Sequence, residues 1–327
     1  MRPIRLFMLL ATLCWAGSAL AQACAPGSVP NPLGARLAQA ALDEYAEFNG
    51  HRIDAGGRLW KAGSVESEAE LLYDPNTGKP APDRPGRYAW RRVWEYWLTL
   101  ERHVPEEALS HKVISVSGLL KNPSTAAAPD ETRLSALLPA IQGEAPAATA
   151  LRQAAVRAAL NDSPWSAAFI SYLADRVGLE SRQFFYSSSH WEYIAPAFRG
   201  QAGYAFAACD PRATPPRVGD LLCYARGASP FKNYAEWREA VRRPGFSTPS
   251  HCEVVTDVDL DAKKIETVGG NVLQSVVRRK LKLNRENVLS DANLPKRGGT
   301  GRECRRDPSC GQDNLNVQYW AVLLKLR

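Results

Sequence analysis

The sequence predicts an α+β protein, on three observations. Segments with apolar residues at helical spacing crowd the first half of the chain, strand-like runs crowd the part after Gly219, and no internal repeat or heptad array cuts across that order. At 327 residues the chain is long enough to bury a full apolar core. Three regions are expected: a leader over 1–21, a helical N-terminal region over 22–145, and a helix-plus-sheet domain over 146–327.

The leader is read from Arg2 and Arg5, an apolar run from Leu6 to about Ala16, and the small-residue pattern Ala19-Leu20-Ala21. That is the layout of a secretory signal peptide. Its apolar core is shorter than the roughly 18 residues of a membrane span, and no later run is longer. A periplasmic or secreted protein without a transmembrane segment is therefore expected, and lipoprotein anchoring at Cys24 is the alternative.

In the N-terminal region, residues 33–48 place Leu33, Leu37, Ala40, Ala41, Leu42 and Tyr45 near one side of a helix. Residues 74–87 carry Pro, Gly and charge without periodicity and predict an exposed loop. Residues 88–103 hold Tyr88, Trp90, Val93, Trp94, Trp97 and Leu98 at steps of three and four, an aromatic stripe that suits a core face better than a ligand platform. After a second breaker-rich stretch, helices are expected around 131–142 and 147–160.

From Gly219 the pattern changes to strands: 219–226, 251–260, 263–268, 275–283 and 317–326, the last apolar on both faces. An antiparallel sheet is expected. The connection between the first two strands is long for a hairpin and predicts a functional or packing excursion.

Leader cleavage removes Cys14 and leaves Cys24, Cys209, Cys223, Cys252, Cys304 and Cys310, an even set in an oxidising compartment. Disulfides are expected; their pairing is open, with Cys304–Cys310 the easiest local pair and Cys223–Cys252 the preferred fate of Cys252. The net charge of +7 is concentrated between Arg278 and Arg306, where ten Lys or Arg face only Glu286, Asp291 and Glu303. Such a segment suits peptidoglycan, another anionic envelope polymer or lipid head groups, or is simply a solvated loop. Export and the lack of a recognition motif argue against nucleic acid. The five histidines are scattered, and no phosphate-binding loop is present, so neither a metal nor another cofactor is expected. Composition says nothing of oligomeric state.

Three pieces are candidates for chemistry. Trp165-Ser166-Ala167 opens a predicted helix, Ser250-His251-Cys252 sits on a strand, and Gly269-Gly270-Asn271 ends the next strand. A nucleophile at a helix start gains from exposed amides and the positive end of the dipole. A histidine on a neighbouring strand can take its proton, and a third polar group can fix the ring. Structural readings stand beside each: Ser166 as a helix cap, His251 as a core histidine, Asn271 as a turn former. Consecutive strand residues face opposite ways, so His251 and Cys252 cannot both face one cleft. His190, in the stretch 184–194 with Tyr193, is a second base, a substrate contact or a loop cap.

The order of these motifs resembles the NlpC/P60 and CHAP peptidases, which have a papain-like fold and cut or transfer amide bonds in bacterial peptidoglycan. More closely, residues 159–173, 186–194, 219–226, 251–255 and 269–276 resemble the DUF2272 family. The resemblance implies a papain-like module with Ser166 as nucleophile, His251 as base and Asn271 as orienting residue. Trp165, His190 and Tyr193 are then expected to contact substrate. Those peptidases use Cys where this chain has Ser166, and a hydroxyl, unlike a thiol, must lose its proton during attack. The expected function is an exported envelope hydrolase acting on peptidoglycan amide or peptide bonds. The alternative is a catalytically silent module that binds them.

Overall fold

The computed structural model describes residues 24, 31–66, 89–107, 109, 146–227, 230–295 and 314–327. The leader, the 74–87 loop, the 131–142 helix and Cys304–Cys310 lie outside the described residues.

The first helix, α1 (Pro32–Glu47), starts where its apolar spacing predicts. Asn31 caps it, its Oδ1 accepting from the amides of Leu33 at 3.0 Å and Gly34 at 3.3 Å, and Pro32 takes the first turn. Gly34 is needed for packing. A Cβ there would lie 2.5 Å from the carbonyl oxygen of Val218, because α1 crosses directly over the loop before the fourth strand. The region after α1 is not only helical: β1 (His51–Ile53) and β2 (Leu59–Lys61) form a short hairpin that joins the main sheet. These three-residue strands are too brief to show a period, so sequence pattern missed them.

Helix α2 (Ala89–His103) turns its aromatic stripe inward, as expected: Trp90, Val93, Tyr96 and Trp97 are buried. Helices α3 (Pro146–Asp162), α4 (Ser166–Arg176) and α5 (His190–Arg199) follow. Nine successive residues of α4, Ser166 to Ala174, are buried, so this helix is surrounded by protein on all sides. Glu44 ties three helices together. Its carboxylate pairs with Arg92, accepts from Tyr96 at 2.6 Å and accepts from Tyr172 at 3.0 Å. A buried carboxylate is tolerated only when satisfied in this way.

The sheet continues with β3 (Phe206–Cys209), β4 (Leu221–Ala225), β5 (Ser250–Asp259), β6 (Lys264–Val272), β7 (Ser275–Lys282) and β8 (Trp320–Leu326). A short helix, α6 (Tyr234–Ala240), occupies the long β4–β5 connection. The order is β2-β1-β7-β6-β5-β4-β8-β3. Pairing is antiparallel except between β1 and β7, so the sheet is mixed rather than antiparallel throughout. The parallel pair arises because β1 comes from the N-terminal region, which thereby belongs to the same sheet as the C-terminal half.

Strand β8 is buried along its whole length. Its one lysine, Lys325, is balanced by Asp220 at 2.7 Å, and the same carboxylate accepts from the amides of Leu326 and Arg217. Gly219 precedes it with φ 90, and a Cβ there would lie 2.2 Å from Cα of Gly34. The Gly219-Asp220 step is thus structural: it lets α1 sit close and clamps the last strand.

Cys223 and Cys252 are cross-strand partners on β4 and β5 and form a disulfide, the pairing that the strand pattern favours. A second disulfide joins Cys24 to Cys209. In this pairing the Cys24 thiol is engaged by Cys209 and is not available for lipid attachment. The start of the basic segment lies on β7, as the strand expected over 275–283 implies, and there Arg278 and Lys280 pair with Glu266. Among the described residues no helix is long and apolar enough to cross a membrane.

Candidate functional site

Ser166 is the first residue of α4 and does not cap it. The cap position is Trp165, which makes no side-chain capping bond, and the Ser166 hydroxyl is directed away from the helix backbone at His190. Ser166 Oγ lies 2.7 Å from His190 Nε2. The first helical hydrogen bond of α4 runs from Phe169 to the carbonyl of Trp165. Helix geometry leaves the amides of Ser166, Ala167 and Ala168 without an intrahelical acceptor, and none is found for them among the described residues.

His190 opens α5 directly after Ser189, so its ring projects from the first turn of a second helix. Its other ring nitrogen, Nδ1, is bonded to the hydroxyl of Tyr193, three residues on along the same face. When Tyr193 accepts from Nδ1–H, Nε2 is unprotonated and can receive the serine proton. Burial, then the neighbouring His251 and Arg226, hold His190 well below the ordinary histidine range. The ring is therefore neutral near pH 7, which suits a hydroxyl nucleophile and disfavours a stored thiolate–imidazolium pair.

His251 lies beside this pair, its ring centroid 5.3 Å from that of His190. It is fully buried, and its Nε2 is 3.3 Å from Oε1 of Glu253, two residues along β5 on the same face. Glu253 in turn meets Arg279 at 2.8 Å and accepts from Thr267 at 2.6 Å. The Nδ1 of His251 has no partner among the described residues. Burial, then Arg226 and Arg279, keep this ring neutral as well.

The structure thus brings together Ser166, His190 and Tyr193, with His251 adjacent. Among the described residues no hydrogen bond links Ser166 to His251, or His251 to Asn271. Glu253 competes for His251 from the same strand face. Asn271 has φ 53 and precedes a tight β6–β7 turn at Leu273 and Gln274, also at positive φ. Its position is that of a turn-side residue.

Two of the expected substrate contacts lie in the core. Trp165 is fully buried among Phe48, Tyr96 and Phe169 and donates its indole N–H to Glu66. Tyr193 is fully buried and is spent on His190. His190 itself is 4 % exposed, and so is Ser166.

The two glycines before Asn271 have separate causes. A Cβ on Gly269 would lie 2.6 Å from Cγ of Glu253, and one on Gly270 would lie 2.6 Å from Cγ of Phe169. The first makes room for the Glu253 network and the second lets β6 pass against α4.

Pattern reading missed Glu253, Arg279, Arg226 and Glu66. The first was signalled by its two-residue spacing from His251 on a strand. The others come from distant segments and left no local signal. Among the described residues no cluster of His, Cys, Asp and Glu suited to a metal is found.

The protein has an α+β fold in which the buried helix α4 begins with a histidine-bonded serine. The chain belongs to the DUF2272 family, described as uncharacterized protein conserved in bacteria, whose model matches residues 84–326. No match to the curated proteins was found, and none to the solved structures.

Proposed function

We propose that this chain is an exported cell-envelope hydrolase that cuts amide or peptide bonds of peptidoglycan, with Ser166 as nucleophile and a papain-like arrangement of helix and sheet. The observation that carries it is the 2.7 Å contact from Ser166 Oγ to His190 Nε2 at the start of α4. In this reading Ser166 Oγ attacks the carbonyl carbon while its proton passes to His190 Nε2. The unpaired amides of Ala167 and Ala168, with the positive end of the helix dipole, face the developing oxyanion. His190 then gives its proton to the leaving amine, and water, deprotonated by the same ring, releases the acyl group. Tyr193 holds the tautomer. His251 and Asn271, the base and orienting residue of the family resemblance, take supporting places: His251 as the neutral neighbour of His190, Asn271 at the rim of the turn.

The disulfides Cys24–Cys209 and Cys223–Cys252 agree with an oxidising compartment, and so with a periplasmic or secreted location.

One observation favours the second reading, a silent module that binds peptidoglycan or envelope peptides. Ser166 and His190 are almost closed to solvent, and the same burial that keeps the imidazole neutral penalises the imidazolium that attack must form.

Purified protein incubated with peptidoglycan fragments separates the two. Release of new amine termini by the wild-type chain, lost in Ser166→Ala, supports the hydrolase. Co-sedimentation with intact peptidoglycan without turnover, unchanged in Ser166→Ala, supports the binding module.

A further inference from the structure

The long β4–β5 connection builds a feature unrelated to Ser166. Trp237 of α6 is fully buried and stacks on Trp191 of α5 with ring centroids 5.7 Å apart, and Phe231 and Phe246 complete the cluster. Trp191 stands in the first turn of α5, and at the other end of that helix Phe198 stacks on Tyr234 of α6 with ring centroids 5.0 Å apart, which fixes α6 and the turn after it beside the C-terminal end of α5. Between them lies a cavity of about 520 Å³, walled by Arg199, Arg238, Arg242 and Arg243 on an apolar floor of Phe198 and Val241.

Four guanidiniums around one opening repel one another, and the fold offsets little of that charge. Among the described residues only Arg242 has a carboxylate partner, Glu239 at 3.6 Å, and that pair is exposed to water. Arg243 lies over the ring of Phe246 at 5.7 Å, a contact that leaves its charge in place. All four arginine residues are exposed, so none is needed to fill the core. An excess of like charge kept in a concave site, where field lines converge, is the signature of a receptor for an anion.

We propose that this cavity binds a phosphate-bearing ligand. A planar guanidinium matches two phosphate oxygens at once, and several around one opening suit a group of two or more negative charges better than a lone carboxylate. The apolar floor accepts the carbon skeleton carrying the phosphate. Two sources share this chemistry: a phospholipid head group and a water-soluble phosphate polymer. The site stands at the far end of α5 from His190, nine residues on or about 14 Å at 1.5 Å per residue. It does not depend on Ser166 being a catalyst.

The test uses the full chain, the double variant Arg238→Gln/Arg243→Gln, and a control, Lys264→Gln/Arg285→Gln, that removes the same charge from exposed positions elsewhere. Tripolyphosphate binding is measured by titration calorimetry at about 150 mM salt. Sedimentation is measured with vesicles of phosphatidylcholine alone or mixed with phosphatidylglycerol. At least one probe is expected to bind, with affinity reduced about 10-fold or more in the cavity variant and little changed in the control. Arginine-dependent binding to the anionic vesicles alone identifies a lipid head group; to tripolyphosphate alone, a soluble phosphate polymer; to both, recognition of the phosphate irrespective of its carrier. Equal losses in both variants, or no binding of either probe, would overturn the proposal. Since peptidoglycan cleavage is read separately, failure here leaves the assignment at Ser166 unaffected.

Discussion

His190 reaches Ser166 with one ring nitrogen and Tyr193 with the other, so a single imidazole joins the first turns of α4 and α5. His251, the histidine that the motif order favours as base, instead bonds Glu253. The two histidines are therefore expected to differ sharply on substitution. In the hydrolase reading, His190→Gln lowers kcat on peptidoglycan fragments by about 10²–10⁴-fold, the usual contribution of a general base. His251→Gln, which leaves the Ser166–His190 contact intact, costs less than about 10-fold. A reversed ranking would return the base role to His251.

Tyr193→Phe removes the group that fixes the His190 tautomer while keeping the ring that fills the core. Loss of one such hydrogen bond is expected to lower kcat about 10-fold, with KM nearly unchanged. Because His190 titrates well below its ordinary range, in the hydrolase reading kcat/KM of the wild-type chain should hold its value as pH falls through 6.5 and drop only at lower pH. An acid limb centred at or above the ordinary value of 6.5 would contradict the buried, neutral ring.

Glu66 gives a stability prediction of defined sign. Burial pushes its carboxyl up to about 7 from 4.5, with the Trp165 indole N–H pulling the other way. A group whose folded pKa is raised binds more protons in the folded state, so its stabilisation is complete below 4.5 and lost as pH rises through about 7. Glu66→Gln keeps an acceptor for Trp165 without the charge. It is expected to match wild type near pH ~4.5 and to exceed it above pH ~7.5, by on the order of 2 kcal/mol in urea unfolding. Equal stabilities at both ends would show that Glu66 is not buried in solution.

Gly270→Ala isolates a steric requirement, since Gly270 does not have positive φ. The added carbon meets Phe169 at 2.6 Å and Trp165 at 2.8 Å, both held in the core. A loss of about 2–3 kcal/mol is expected, read as a lowered urea midpoint at constant slope. A change below about 0.5 kcal/mol would mean that β6 does not press on α4.

Lys325→Met leaves Asp220 as a buried carboxylate without its cation and should cost about 3–5 kcal/mol. Adding Asp220→Asn should recover part of that loss, measured as a double-mutant cycle. Additive losses would show that the pair is not coupled.

The amino-acid sequence by itself determined the elements whose periodicity is strong. The spacing of Leu37, Ala41 and Tyr45 made α1, the stripe from Trp90 to Trp97 made α2, and the short apolar runs bounded by turn residues made the C-terminal strands, because such patterns are local properties of the chain. It also set Ser166 at a helix start and placed Cys223 where a neighbouring strand could offer Cys252. The tertiary structure alone decided which partners those side chains found. Three-residue β1 joined β7, His190 displaced His251 from Ser166, Glu253 took His251, and Trp165 turned inward to Glu66. Each of these choices is a competition among groups far apart in the chain or on adjoining faces, settled by fractions of a hydrogen bond length and by which buried polar atom would otherwise go unpaired, and spacing along a sequence carries no record of that outcome.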